Sequence, residues 1–123
     1  MGRFDPAAAA RLEAAGHVVV LDAATGAVSP TTEGADLVLT RLPDDRAARR
    51  VYTELARTAS PGQVFADLSN LPSAVEEWCA LALPAFLAVG QDGGVRGEPA
   101  HLERARSVLE MVAGHVHEGG RLR

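Results

Sequence analysis

Lysine is missing from this chain: all 12 of its basic residues are arginine, so no step that needs a lysine amine can run on its own side chains. A single cysteine, Cys79, excludes an intrachain disulfide. Apolar runs are short, and none approaches the ~20 residues that a membrane-spanning helix requires. The alanine run Ala7 to Ala10, beside Asp5 and Pro6, is too short and too mildly apolar for a secretory core, which points to a cytoplasmic protein. Positive charge is not in excess either. A formal charge of -4 gives no electrostatic footprint for nucleic acid or an anionic membrane surface, while leaving small-molecule binding open.

What is present describes an ordinary folded domain. With 47% hydrophobic and 23% charged residues the chain is too apolar to stay disordered, and its 123 residues are the size of one domain. No internal repeat or linker divides it, so residues 1–123 are read as a single domain.

Asp5 suits a helix N-cap, Pro6 the first helical position and Gly16 the helix end, which predicts a short helix over 6–15. His17 to Leu21 is an unbroken β-branched and apolar run ending at Asp22, the pattern of a strand buried on both faces. A second such run, Asp36 to Thr40, follows the polar, turn-rich stretch Ala23 to Gly34. Pro43-Asp44-Asp45 offers a helix start, and Ala47, Ala48, Val51, Leu55 and Ala59 line one helical face, predicting a helix over about 44–58.

Ser60-Pro61-Gly62 ends that helix and Gln63 to Asp67 reads as a third strand. Ala74 to Leu83 reads as a helix with Val75, Trp78, Cys79 and Ala82 on one side, Ala85 to Val89 as a fourth strand, and Gly90 to Glu98 as a glycine-rich loop. Pro99 opens a last helix through Leu102, Ala105, Leu109 and Val112, and Gly114 precedes a short strand over His115 to His117. Strands alternating with helices predict an α/β fold, a mostly parallel sheet flanked by helices.

Several motifs then fall in one order: Ala15-Gly16-His17, the segment Ala35-Asp36 through Thr40-Arg41-Leu42-Pro43, the segment Pro61-Gly62 through Asp67-Leu68-Ser69-Asn70-Leu71-Pro72, and Asp92-Gly93-Gly94 after Phe86-Leu87. In this order the chain resembles the nucleotide-binding domain of the β-hydroxyacid dehydrogenases, which include 3-hydroxyisobutyrate and 6-phosphogluconate dehydrogenases and, more distantly, imine reductases. The resemblance implies a Rossmann-like fold and an NAD(P) cofactor whose pyrophosphate sits on a glycine-rich turn at a helix N-terminus.

The chain departs from that pattern in specific places. Gly2 stands at the second glycine of the family's G-x-G-x-x-G turn, Asp5 replaces the third, and the family's first strand would lie before Met1. In the family fold that strand lies centrally. Its removal opens a gap of roughly 9.6 Å, too wide for backbone hydrogen bonds, so the sheet must close up or borrow a strand. Asn70 replaces a usual threonine, Asp92 aligns with the family's substrate serine, and the catalytic lysine of the family has no counterpart.

Asp22 ends a strand where dinucleotide folds place an acid on the adenosine ribose, against the plainer reading of a solvated turn aspartate. Leu42 and Pro43 stand where the resemblance brings backbone close to the cofactor ribose, and Ser69 and Asn70 at a strand end facing the same crevice; turn and capping chemistry is the competing account. His115, His117, His101 and Cys79 match no zinc spacing, and Cys79 beside Trp78 reads as a packing cysteine. Asp44-Asp45 and Glu76-Glu77 fall in first helical turns, where the helix dipole and solvation account for them.

The leading expectation is therefore a degenerate dinucleotide-binding domain with at most weak NAD(P) or nucleotide binding and no dehydrogenase activity of its own. The alternative is a non-catalytic scaffold or regulatory subunit, a homodimer or a partner of another protein, associating through the sheet edge that a missing strand exposes. Two further readings are new chemistry using Asp92 or Asp67 as a base, and a gene whose first strand is encoded upstream.

Overall fold

A computed structural model of the chain describes residues 7–8, 10–11, 18–22 and 35–120. Ala7, Ala8, Ala10 and Arg11 are helical, in keeping with the helix expected over 6–15. The rest of that helix, the positions of Gly2 and Asp5, and the crossover Ala23 to Gly34 lie outside the described residues.

The elements that follow are β1 (Val18–Asp22), β2 (Leu37–Arg41), α1 (Asp45–Thr58), β3 (Val64–Asp67), α2 (Ser73–Ala82), β4 (Phe86–Val89), β5 (Gly94–Arg96), α3 (Pro99–Ala113) and β6 (His117–Gly120). They form one six-stranded sheet in sequence order. β1 to β4 are parallel neighbours, β5 runs antiparallel to β4, and β6 is parallel to β5. The α/β class and the mostly parallel sheet are as the strand–helix alternation implies.

Strand alternation sorts the core into two layers. Leu37, Leu39, Val64, Ala66, Leu87 and Val89 face a cluster built with Leu102, Ala105 and Leu109 of α3. Val38, Phe65, Phe86 and Ala88, the residues between, face a second cluster with Val51, Tyr52 and Leu55 of α1 and Val75 and Cys79 of α2. Both faces of β2 to β4 are covered, which explains their unbroken apolar sequences.

The handedness of crossovers explains which helix lies where. A right-handed connection between parallel strands puts α1 and α2 on one face. At the β4–β5 hairpin the strand direction reverses while the sheet keeps growing the same way, so the same handedness carries α3 to the opposite face.

That hairpin corrects the expected loop over Gly90 to Glu98. Gly90 N donates to Gly94 O at 2.8 Å and Gly93 N to Gly90 O at 3.1 Å, closing a tight turn into β5. Gly93 has φ +89°, and a Cβ there would lie 2.5 Å from His115 O, so only glycine fits. The last strand also begins later than expected, at His117, with all four residues exposed.

Asp44 caps α1 by accepting from Ala47 N at 2.9 Å. Pro99 opens α3 and Gly114, at φ +81°, ends it. No helix among the described residues is long and apolar enough to cross a membrane.

Candidate functional site

Thr40 and Asp67 are register partners at the carboxyl ends of β2 and β3, on the face that meets α1. Both are buried, and Tyr52 of α1 reaches them from above. Asp67 Oδ2 accepts from Tyr52 OH at 2.7 Å, Thr40 Oγ1 at 2.9 Å and Ser69 Oγ at 3.2 Å, while Oδ1 accepts from Ser69 N at 2.8 Å. Tyr52 OH and Thr40 Oγ1 also contact each other. Phe86 packs edge-on against the Tyr52 ring, with centroids 5.6 Å apart.

Burial raises the Asp67 carboxyl above its ordinary range, with its hydrogen bonds pulling the other way, led by that from Tyr52. The Tyr52 hydroxyl is pushed well above its ordinary value, first by burial and then by the neighbouring Asp67 carboxylate. Asp67 is 1% exposed, and its hydrogen bonds join α1, β2 and the loop after β3.

The network extends outward through one bond. Leu42 N donates to Ser69 Oγ at 2.6 Å, so the loops after β2 and β3 are tied together at the crest of the sheet. Leu42 is buried and Pro43 exposed beside it. Ser69 thus holds Leu42 and Asp67 rather than standing free. Asp22 ends β1 in register with Arg41, one residue before Leu42. Asn70 is exposed with φ +64°, a left-handed conformation that asparagine tolerates and β-branched threonine resists, which gives a physical reason for the residue found there.

A second polar feature lies on the α1/α2 side of β5 and β6. Glu76, expected to be solvated, is 1% exposed, and its carboxylate takes a 2.8 Å ion pair from Arg96 of β5. Burial raises the Glu76 carboxyl, and Arg96 opposes that rise. Arg96 borders an open cleft of about 560 Å³ together with Asn70, Gln91, Asp92 and His117. Gly90, Gly94 and Gly119 complete its lining.

Asp92 is a turn residue, accepting from Gly94 N at 2.8 Å, and that bond lowers its carboxyl below the ordinary range. Cys79 is fully buried and its thiol is pushed up to about 12 by burial, as a packing cysteine requires. Among the described residues no group of three or more His, Cys, Asp or Glu side chains is placed to hold a metal. Tyr52 and Thr40 escaped the sequence reading because neither spacing nor motif joins them to Asp67. The alternation of β2 and β3 carried the only signal.

No protein-family model matches the chain. A probable 3-hydroxyisobutyrate dehydrogenase of Mycobacterium tuberculosis is 35% identical over 130 residues, covering 92% of this chain and 43% of that protein; the Mycobacterium bovis protein of the same name matches equally. The solved M. tuberculosis 3-hydroxyisobutyrate dehydrogenase with L-serine superposes with a TM-score of 0.69 at 27% identity, covering 94% of this chain and 50% of that one. The chain is a β-hydroxyacid dehydrogenase-like domain. It spans less than half the length of the curated relatives it matches. An imine reductase from Myxococcus stipitatus with NADP+ shares the fold, with a TM-score of 0.68 at 16% identity over 98% of this chain and 53% of that one.

Against the Rossmann-type strand order, in which the first strand lies between the second and fourth, the β-hydroxyacid dehydrogenase-like sheet of this chain is closed. β1 and β2 pair directly along five residues, from Val18 with Leu37 to Asp22 with Arg41. Of the two ways to resolve the expected gap, closing up is the one observed. The internal edge that a missing strand was expected to expose is therefore absent.

Proposed function

We propose that this domain is a reduced dinucleotide-binding module with at most weak NAD(P) or nucleotide contact and no dehydrogenase turnover by the 123-residue chain alone. The observation that carries this reading is the direct pairing of β1 with β2. In dinucleotide folds the pyrophosphate sits at the switch point between the first and fourth strands, and among the described residues the strands run in sequence order with no such reversal. What remains of the crevice is the crest of Asp22, Leu42, Pro43, Ser69 and Asn70, on which a ribose or base can rest. Hydride transfer on a hydroxy acid also needs a proton carrier, and the chain has no lysine to take the family's part.

Calorimetric titration with NAD+, NADP+ and NADPH is expected to give dissociation constants of about 1 mM or weaker, equivalent to roughly 4 kcal/mol of binding. No NADH or NADPH should form with 3-hydroxyisobutyrate. A micromolar constant, or turnover, would overturn the proposal.

The scaffold alternative keeps one specific support. Among the described residues β6 is the last strand of the sheet and its four residues are all exposed, an edge of the kind that accepts another strand.

A further inference from the structure

Three oxygens from three elements meet at one point under the crest. Asp67 Oδ2 lies 2.9 Å from Thr40 Oγ1 and 2.7 Å from Tyr52 OH, and the two hydroxyl oxygens contact each other, so β3, β2 and α1 share a closed triangle. All three side chains are buried. Burial leaves these oxygens to satisfy one another.

A hydroxyl carries one hydrogen, and two oxygens attract only when a hydrogen lies between them. Thr40 and Tyr52 bring two hydrogens to a triangle with three sides. Their neighbours do not supply a third. Ser69 Oγ gives its hydrogen to Oδ2 from outside the triangle, at 3.2 Å, and Ala66 O, 3.5 Å from Thr40 Oγ1, is only a further acceptor. With Asp67 ionised, one side of the triangle holds two oxygens and no hydrogen, whichever way the hydroxyls turn.

We infer that Asp67 is seated for its neutral acid, and that the proton it takes up as pH falls closes a ring of three hydrogen bonds that latches α1 onto β2. In the ring Asp67 Oδ2 donates to Thr40 Oγ1, Thr40 Oγ1 to Tyr52 OH, and Tyr52 OH back to Oδ2, so the bond between Thr40 and Asp67 reverses direction between the two forms. Oδ1 accepts from Ser69 N at 2.8 Å in either form, and the tie to the loop after β3 outlasts the change. Desolvation favours the same neutral form, burial being the largest influence on this carboxyl. The inference is independent of whether the crest contacts nucleotide.

α2 brings Glu76 and Cys79 within electrostatic reach of Asp67. The Cys79 thiol, pushed up to about 12 by burial, stays neutral, and Arg49 of α1 acts on that thiol. Glu76 is held in its 2.8 Å ion pair with Arg96. On the other side β4 meets Asp67 with the apolar Ala88.

The chain has one tyrosine, so Tyr52 is its own reporter. The test follows the NMR signal of the labelled Tyr52 ζ carbon in the full chain from about pH 3.5 to about pH 8. Across that interval the Tyr52 hydroxyl does not itself ionise, because burial and Asp67 push it well above its ordinary value. One step should appear, with its midpoint above the 3.8 of an ordinary aspartate, and Asp67→Asn should abolish it. Thr40→Val decides the direction of the bond. Loss of a hydroxyl that only donates to a carboxylate raises the midpoint, whereas loss of one that accepts from the acid lowers it; a fall of about half a pH unit or more is expected.

A Tyr52 signal that stays flat in the wild-type chain would overturn the latch, and that measurement needs no variant. So would a step that survives in folded Asp67→Asn, which would belong to Glu76, or a midpoint that does not fall in folded Thr40→Val.

Discussion

Asp67 is the residue on which the upper end of the sheet converges, since its two carboxylate oxygens collect α1, β2 and the loop after β3. Removing it with Asp67→Ala strands buried hydroxyls and loosens Ser69, and through Ser69 the Leu42 backbone, at a cost of about 2–3 kcal/mol in unfolding free energy. Its ionisation has a definite sign. Burial places the folded-state value above the ordinary 3.8, so the fold favours the protonated form. That contribution is full below 3.8 and is lost as pH rises through the raised value.

Asp67→Asn is isosteric and does not ionise. Relative to wild type it should gain stability with rising pH across that interval, read from urea unfolding at a series of pH values. A difference that stays constant with pH would contradict burial as the dominant cause. The motif around Asp67 and Ser69 was visible in the chain, but its chemistry was not: Tyr52 lies 15 residues away and meets Asp67 only because α1 packs over β3.

At the scale of elements, the junction of α2 with β5 depends on the Glu76–Arg96 pair. The two side chains are unequally exposed, that of Glu76 at 2% and that of Arg96 at 34%, so they respond differently to loss of the other. Arg96→Met leaves a carboxylate in the interior with no cation and should cost about 3 kcal/mol. Glu76→Leu leaves an arginine that water can reach, and should cost less. The double variant should recover most of the Arg96→Met loss, because well-packed apolar residues often replace a buried pair without penalty. A double-mutant cycle by urea unfolding measures this, and strict additivity would show that the pair does not couple.

Element positions themselves were largely readable. Capping Asp44, Pro99 and Gly114 marked helix ends through local backbone chemistry that needs no tertiary contact. β5 was hidden because Gly94-Val95-Arg96 is too short and glycine-rich to show a period, and exists as a strand only through its partners Ala88, Val89 and β6.

Across the whole molecule, protection should follow coverage. β3 and β4 are buried at every position, whereas β6 is exposed at every position and pairs with a strand on one side only among the described residues. Hydrogen exchange should accordingly be slowest in β3 and β4, by global unfolding, and fastest among the strands in β6, by local fraying. Equal protection of β6 would mean that a partner strand covers it. The sequence by itself determined the α/β class, the helix caps, the buried strands β2 to β4 and the likeness to β-hydroxyacid dehydrogenases, because propensity, period and motif are properties of neighbours along the chain. Tertiary structure decided that β1 closes on β2, that Glu76 is buried against Arg96, and that the cleft opens beside β5. Each of these joins residues far apart in sequence, and strand pairing and charge burial depend on which surfaces meet in space.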